Sequence, residues 1–347
     1  KHVLEMRNFG KEKQEKIDES RKLRPLQPSK DSTYFDILEI ETEGLEFFIN
    51  QGSFTDNRPT AKKYKLNQVK VDILKPLTKK PCPFVLFLHQ SGEDKESIYT
   101  NYKKNINQLL KNKIACVVIN YNTDKLINSY YQVKYTIQHL KFFSRAYNID
   151  YNKMGLIGQS LGAQMAYLFG HYSSKRLKKL ESLMEIENTP FSIDTYIRLL
   201  VLIDSQLYMD CRKYPQDLYY ENNNYINEEM NIDMVTECDD KLTSWYGVDY
   251  TELDADCNRK LLEQTHLLNF FNDNKSNVPM FILNDNKLDN KYKLSNYNNK
   301  DIILKSPVFS KILYDKSKEN SILVEGHIPA LNISSCMNFS EFISKYL

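Results

Sequence analysis

Residues 154–162 read Met154-Gly155-Leu156-Ile157-Gly158-Gln159-Ser160-Leu161-Gly162, and Ala163, Gln164, Met165 and Ala166 follow. The apolar run predicts a short strand, and the residues after the second flanking glycine favour helix. Gly-x-Ser-x-Gly between a strand and a helix is the pattern of a nucleophile elbow, a sharp turn that exposes a serine oxygen above the end of a sheet. Such a turn strains the backbone at Ser160, and a Cβ at Gly158 or Gly162 would collide with the neighbouring strand or helix. With only 10 glycines in 347 residues, composition alone does not account for the spacing.

Outward from the elbow, further runs are apolar throughout, as expected of strands covered by helices on both faces. They are Phe84–Leu88, Ile114–Ile119, Met154–Ile157, Leu199–Ile203, Met280–Leu283 and Ser321–Val324. Helical stretches at Tyr99–Lys111, at Leu126–Ala146 and from the elbow through Leu183 separate them. Strand and helix alternating this way predict an α/β fold, a doubly wound and mostly parallel sheet. Upstream, Phe35–Glu41 and Leu45–Asn50 are joined by Gly44 and suggest a hairpin. Gln68–Leu74 alternates until Pro76, so these runs together predict an antiparallel N-terminal edge.

Two regions stand outside this pattern. Residues 1–30 are dominated by charge and read as an arm, more a solvated extension than a binding tail, with 31–347 as the main domain. Residues 205–277 form an insertion rich in Tyr, Asn and acids, too long for an ordinary connection. It follows a strand whose C-terminal end faces the expected site, so it reads as a cap or lid; a peripheral insertion is the plainer alternative. Within it, Leu261, Leu262, Leu268, Phe270 and Phe271 would suit a lipid-facing surface, although such stripes more often pack inward.

Composition limits the partners. The net charge is +2, from 47 basic and 45 acidic side chains, so no global field points to nucleic acid. No apolar stretch reaches the ~20 residues of a membrane helix. The expectation is a soluble or membrane-peripheral protein, with N-terminal processing open because the chain begins at Lys1. Cys82, Cys116, Cys211, Cys238, Cys257 and Cys336 lie far apart without metal-site spacing, so neither a metal nor another cofactor is expected. Cys211, Cys238 and Cys257 share the insertion, where a disulfide stays open.

A serine hydroxyl needs a base to take its proton. In this topology the base comes last, after the final strand, where Ser321-Ile322-Leu323-Val324-Glu325-Gly326-His327 ends in His327. The third group must be an acid that orients the imidazole. Asp204 closes one strand, and Asp285 and Asp289 follow the next; position alone does not choose between them. The oxyanion formed on attack needs two backbone amides. One is that of Leu161, at a helix N-terminus, and the other comes from His89-Gln90-Ser91-Gly92.

With these pieces placed, the chain resembles an α/β-hydrolase, and within that superfamily the platelet-activating-factor acetylhydrolases, or group VII phospholipases A2. The likeness rests on Pro83-Phe84-Val85-Leu86-Phe87-Leu88-His89 with Gly92, on the elbow, on Leu202-Ile203-Asp204, on Val278-Pro279-Met280-Phe281-Ile282-Leu283-Asn284, and on Gly326-His327. It implies that Asp204 is the acid and that Ser91 gives the second amide. Gln90 in place of a glycine and the tight Gly326-His327 pair depart from the family pattern. The resemblance implies a serine esterase acting on a lipid or phospholipid ester, with peripheral membrane contact open. The alternative is a catalytically inactive hydrolase-fold subunit with a structural or binding role in a larger assembly.

Overall fold

The alternation of apolar runs and helical stretches becomes a single eight-stranded sheet in the computed structural model, which describes residues 23–26, 47–206, 243–252, 254–269, 271, 277–287 and 305–347. In chain order the described elements are β1 (Phe47–Ser53), α1 (Pro59–Lys63), β2 (Lys70–Pro76), β3 (Cys82–Leu88), α2 (Lys95–Lys111), β4 (Ala115–Asn120), α3 (Leu126–Phe142), α4 (Ser144–Tyr147), β5 (Ile149–Gln159), α5 (Leu161–His171), α6 (Ser174–Leu183), β6 (Leu199–Ile203), α7 (Asp256–Gln264), β7 (Met280–Leu283), α8 (Pro307–Glu319), β8 (Val324–His327) and α9 (Phe339–Tyr346). Across the sheet the order is β1-β2-β4-β3-β5-β6-β7-β8. The β1–β2 and β2–β4 pairs are antiparallel and all others parallel, so the expected antiparallel edge and parallel centre are both present.

Strand side chains alternate between two buried layers, which is why the central runs are apolar at every position. Leu86, Leu88, Leu156 and Leu202 pack with Tyr131 and Leu140 of α3 and with Met165 and Leu168 of α5. Val85, Phe87, Ile157 and Val201 face the other way, against Ile98 and Leu109 of α2 and Phe342 and Ile343 of α9.

Two expectations change, and a third resolves to its inward-packing alternative. The last strand is Val324–His327 rather than Ser321–Val324, because α8 ends on a left-handed residue, Ser321, at φ 59°. Ser321 N–H donates to Lys318 O and Ile322 N–H to Ser317 O, both at 3.0 Å, so residues 321 and 322 close the helix instead of starting the strand. His327 is therefore the final strand residue, not part of a following loop. Second, residues 23–26 are anchored on the core by two of their four side chains, while Arg24 is exposed. Leu23 and Leu26 are buried, Leu26 N–H donates to the Tyr147 hydroxyl at 2.7 Å, and Asn50 donates to Leu26 O at 3.0 Å. Third, Leu261 and Leu262 of α7 and the following Leu267 are buried in the core layer, with Leu268 and Phe271 packed against it. They are not lipid-facing. Phe35–Glu41 and Phe270 lie outside the described residues.

Candidate active site

The turn from β5 into α5 is strained where the sequence requires it. Ser160 has φ 52° and ψ −111°, outside the ordinary regions for a residue with a side chain. Its N–H donates to Ile203 O at 2.8 Å, which fixes the bend against β6. A Cβ on Gly158 would lie 2.1 Å from Gly162 O, and one on Gly162 would lie 2.2 Å from Leu88 O. Both glycines are needed because backbone crosses backbone at those points. Leu161 is the first residue of α5, so its N–H has no acceptor within the helix and points toward the space beside Ser160.

The loop after β3 is held at both ends. His89 is fully buried, with Nδ1 2.8 Å from Gln90 O and Nε2 3.3 Å from Tyr121 N. Burial pushes its pKa down, so the ring is neutral, carries its proton on Nδ1 and accepts from Tyr121 N–H. Glu93 N–H donates back to Gln90 O at 3.3 Å around Ser91 and Gly92, and Gly92 takes φ +77°, the left-handed value needed at the third residue of a type II turn. Gln90 is tied through its side-chain amide to Glu93. At the far end, Lys95 begins α2 with its ammonium 2.6 Å from Asp72 Oδ2, both side chains buried. Tyr99 and Gln51 also donate to Asp72, at 2.8 and 2.9 Å.

The remaining candidates line up on the C-terminal edge of the sheet. Gln159 pairs with Ile203, Ile203 with Leu283, and Leu283 with His327. Ser160 and Asp204 thus lie one residue beyond the paired ends of neighbouring strands, while the His327 strand is three strands from that of Ser160. At about 4.8 Å per strand this is a backbone offset of roughly 14 Å.

Asp204 has φ 51°, and its carboxylate accepts from Asn286 Nδ2 at 2.9 Å. Burial pushes its pKa up to about 6, aided by the charge of Asp285 and opposed by Lys305 and by hydrogen bonds from Gln159 and Asn286. Asp285 is 69% exposed, and its Oδ1 lies 3.6 Å from His327 Nε2. Asp289 lies outside the described residues.

The structure gathers Ser160, Leu161, Asp204, Asp285 and His327 along one edge without joining them as assigned. Among the described residues, the hydrogen bond to Ser160 Oγ comes from Gln206 Nε2 at 3.4 Å, and the carboxylate beside His327 Nε2 is that of Asp285, at 3.6 Å. Gln206 and Asn286 were not singled out from sequence, because a polar residue three positions past a strand carries no periodic signal. Asn284 anchors the Asp285 loop: it is fully buried, donates to Lys305 O at 3.1 Å and to Ser310 Oγ at 3.0 Å, and accepts from Asn286 N–H at 3.1 Å. Among the described residues no group of three His, Cys, Asp or Glu could hold a metal ion, and no helix is long and apolar enough to cross a membrane.

The BD-FAE family model matches residues 71–253. Of solved structures, the inhibited esterase B from Lactobacillus rhamnosis, a C6-C4 SN3 complex, is 14% identical with a TM-score of 0.53; the match covers 85% of this chain and 80% of that one. A second structure of the same esterase, from strain HN001, is 14% identical with a TM-score of 0.52, covering 85% and 79%. At that identity the likeness establishes the α/β-hydrolase fold. No curated protein sequence matches the chain.

Proposed function

Because the chain belongs to the BD-FAE family, whose model spans more than half of it, we propose that it is a carboxylic-ester hydrolase with Ser160 as nucleophile. The observation that carries this reading is the strained turn: Ser160 holds a backbone conformation that costs on the order of 1–3 kcal/mol, between two glycines that no other residue could replace without a clash.

In the mechanism we propose, Ser160 Oγ attacks the acyl carbonyl while His327 takes its proton. The amides of Leu161 and Ser91 receive the oxyanion, His327 returns the proton to the leaving alcohol, and water releases the acyl group. Asp204 supports the imidazolium. Its partial burial favours it over Asp285, since a carboxylate as exposed as Asp285 contributes little to an ion pair in water. For this geometry to operate, His327 must turn from Asp285 toward the elbow. Residues 205–277 act as the cap that shapes the substrate pocket. The substrate class is a lipid or phospholipid ester with a short or oxidised acyl chain, a reading supported by the acetylhydrolase-like stretches around Leu202-Ile203-Asp204 and Val278 to Asn284.

A second reading is favoured by one observation: Ser160 and His327 are each held by a partner outside the proposed triad, Gln206 and Asp285. It is an inactive hydrolase-fold subunit of a larger assembly. A fluorophosphonate probe separates the two. We expect Ser160 to be labelled in the wild type and the label to vanish in Ser160→Ala, with p-nitrophenyl acetate turnover lost in parallel. A wild-type protein that folds, resists the probe and elutes as a larger particle supports the second reading instead. Asp204→Asn should lose at least ~100-fold in kcat and Asp285→Asn only a few-fold; the reverse order assigns Asp285 as the acid.

A further inference from the structure

We propose that Gln206 is a latch on the nucleophile: its side-chain amide holds the Ser160 hydroxyl at rest, in place of the His327 imidazole. This rests on the ester-hydrolase reading above and adds to it a resting state.

The first support is the direction of the hydrogen bonds. Gln164, buried on α5, donates from Nε2 to Gln206 Oε1 at 3.1 Å. With its oxygen turned toward Gln164, Gln206 presents its nitrogen to Ser160, and Nε2 donates to Oγ at 3.4 Å. General-base catalysis requires an acceptor at the serine hydroxyl, whereas Gln206 supplies a donor that engages the lone pair used for attack.

Position is the second support. Gln206 follows β6 by three residues, and β6 lies between β5, which carries Ser160, and the β7–β8 pair, which carries Asp285 and His327. The serine is also closed in, at 7% exposure.

The third support is that the contact of His327 among the described residues is with Asp285 and not with Ser160. His327 Nε2, the nitrogen that would receive the serine proton, is 3.6 Å from Asp285 Oδ1. Ser160 Oγ thus has the Gln206 amide as its partner where the imidazole would have to sit. At 3.4 Å the Gln206 bond is long, so its release costs little.

The test is the second-order rate of fluorophosphonate labelling of the full chain. The forms compared are wild type, Gln206→Ala, Gln206→Asn, His327→Ala and the double variant Gln206→Ala with His327→Ala, each checked for folding by far-UV circular dichroism. Asn is one methylene too short to span Gln164 and Ser160, so it releases the latch while keeping a polar side chain if the alanine variant does not fold. Gln206→Ala and Gln206→Asn should label about three- to ten-fold faster than wild type, the worth of one modest hydrogen bond. The acceleration should vanish in the His327→Ala background. Labelling at or below the wild-type rate in both Gln206 variants overturns the latch, as does an equal acceleration without His327, which would mean that Gln206 merely obstructs the probe. Silence of the wild type and every variant overturns the ester-hydrolase reading itself, and the latch with it.

Discussion

Ser160 and Asp204 share a positive φ, 52° and 51°, one residue past the paired ends of adjacent strands. Neither is a glycine, so both positions are strained and held by their surroundings. The strain at Ser160 was legible from its flanking glycines, whereas nothing in Leu202-Ile203-Asp204-Ser205 announces that at Asp204. The Asp204 carboxyl leads to a pH prediction. Its ordinary value is 3.8 and burial raises it to about 6 in the folded protein, so the native state binds this proton more tightly than the unfolded chain. The resulting stabilisation is present below about pH 4 and is lost as pH rises to about 6, a change on the order of 2–3 kcal/mol. Asp204→Asn should therefore melt above wild type at pH 7, with the gap closing by pH 4 in parallel thermal scans. Hydrolysis that depends on ionised Asp204 should fall as pH drops through about 6, and a wild-type profile flat from pH 5 to 8 would remove Asp204 from the mechanism.

Among the elements, β5–α5 was readable because the switch from a continuous apolar run to a helix former is local. The end of α8 was not. Its closing residue is Ser321 rather than glycine, so the usual stop signal is missing and the apolar pattern alone places the strand start three residues early. The start of α2 was also set by something distant. Lys95 enters the core because Asp72 on β2 neutralises it, and that pairing holds α2 and the Ser91 loop before it. Removing one member of a buried pair leaves a charge without compensation, so Lys95→Met should cost about 3–5 kcal/mol in urea unfolding. Adding Asp72→Asn should recover much of that loss, because it removes the uncompensated charge while the amide oxygen still accepts from one of the two donors, Tyr99 or Gln51. A double variant less stable than Lys95→Met would mean that the pair is not what anchors α2.

For the molecule as a whole, the sheet order explains why candidate residues distant in sequence share one edge: parallel strands end on the same side, so each βα connection delivers its loop there. The same long-range closure brings residues 23–26 onto the core, with Leu26 meeting Tyr147 across 121 positions. Leu26→Ala should lower stability by about 2 kcal/mol, the low end for a buried leucine at a rim. An unchanged melting temperature would show that this segment only rests on the surface.

By itself the sequence determined the strand–helix alternation, the antiparallel edge and the strained serine turn, since each depends on periodicity or on glycine within a few residues. Only the tertiary structure decided which side chains meet on the C-terminal edge: Gln206 on Ser160, Asp285 on His327 and Asn286 on Asp204. Those contacts depend on register between strands and on the directions of single side chains past the strand ends. Hydrogen-bond partners separated by 46 to 82 residues leave no local pattern to read.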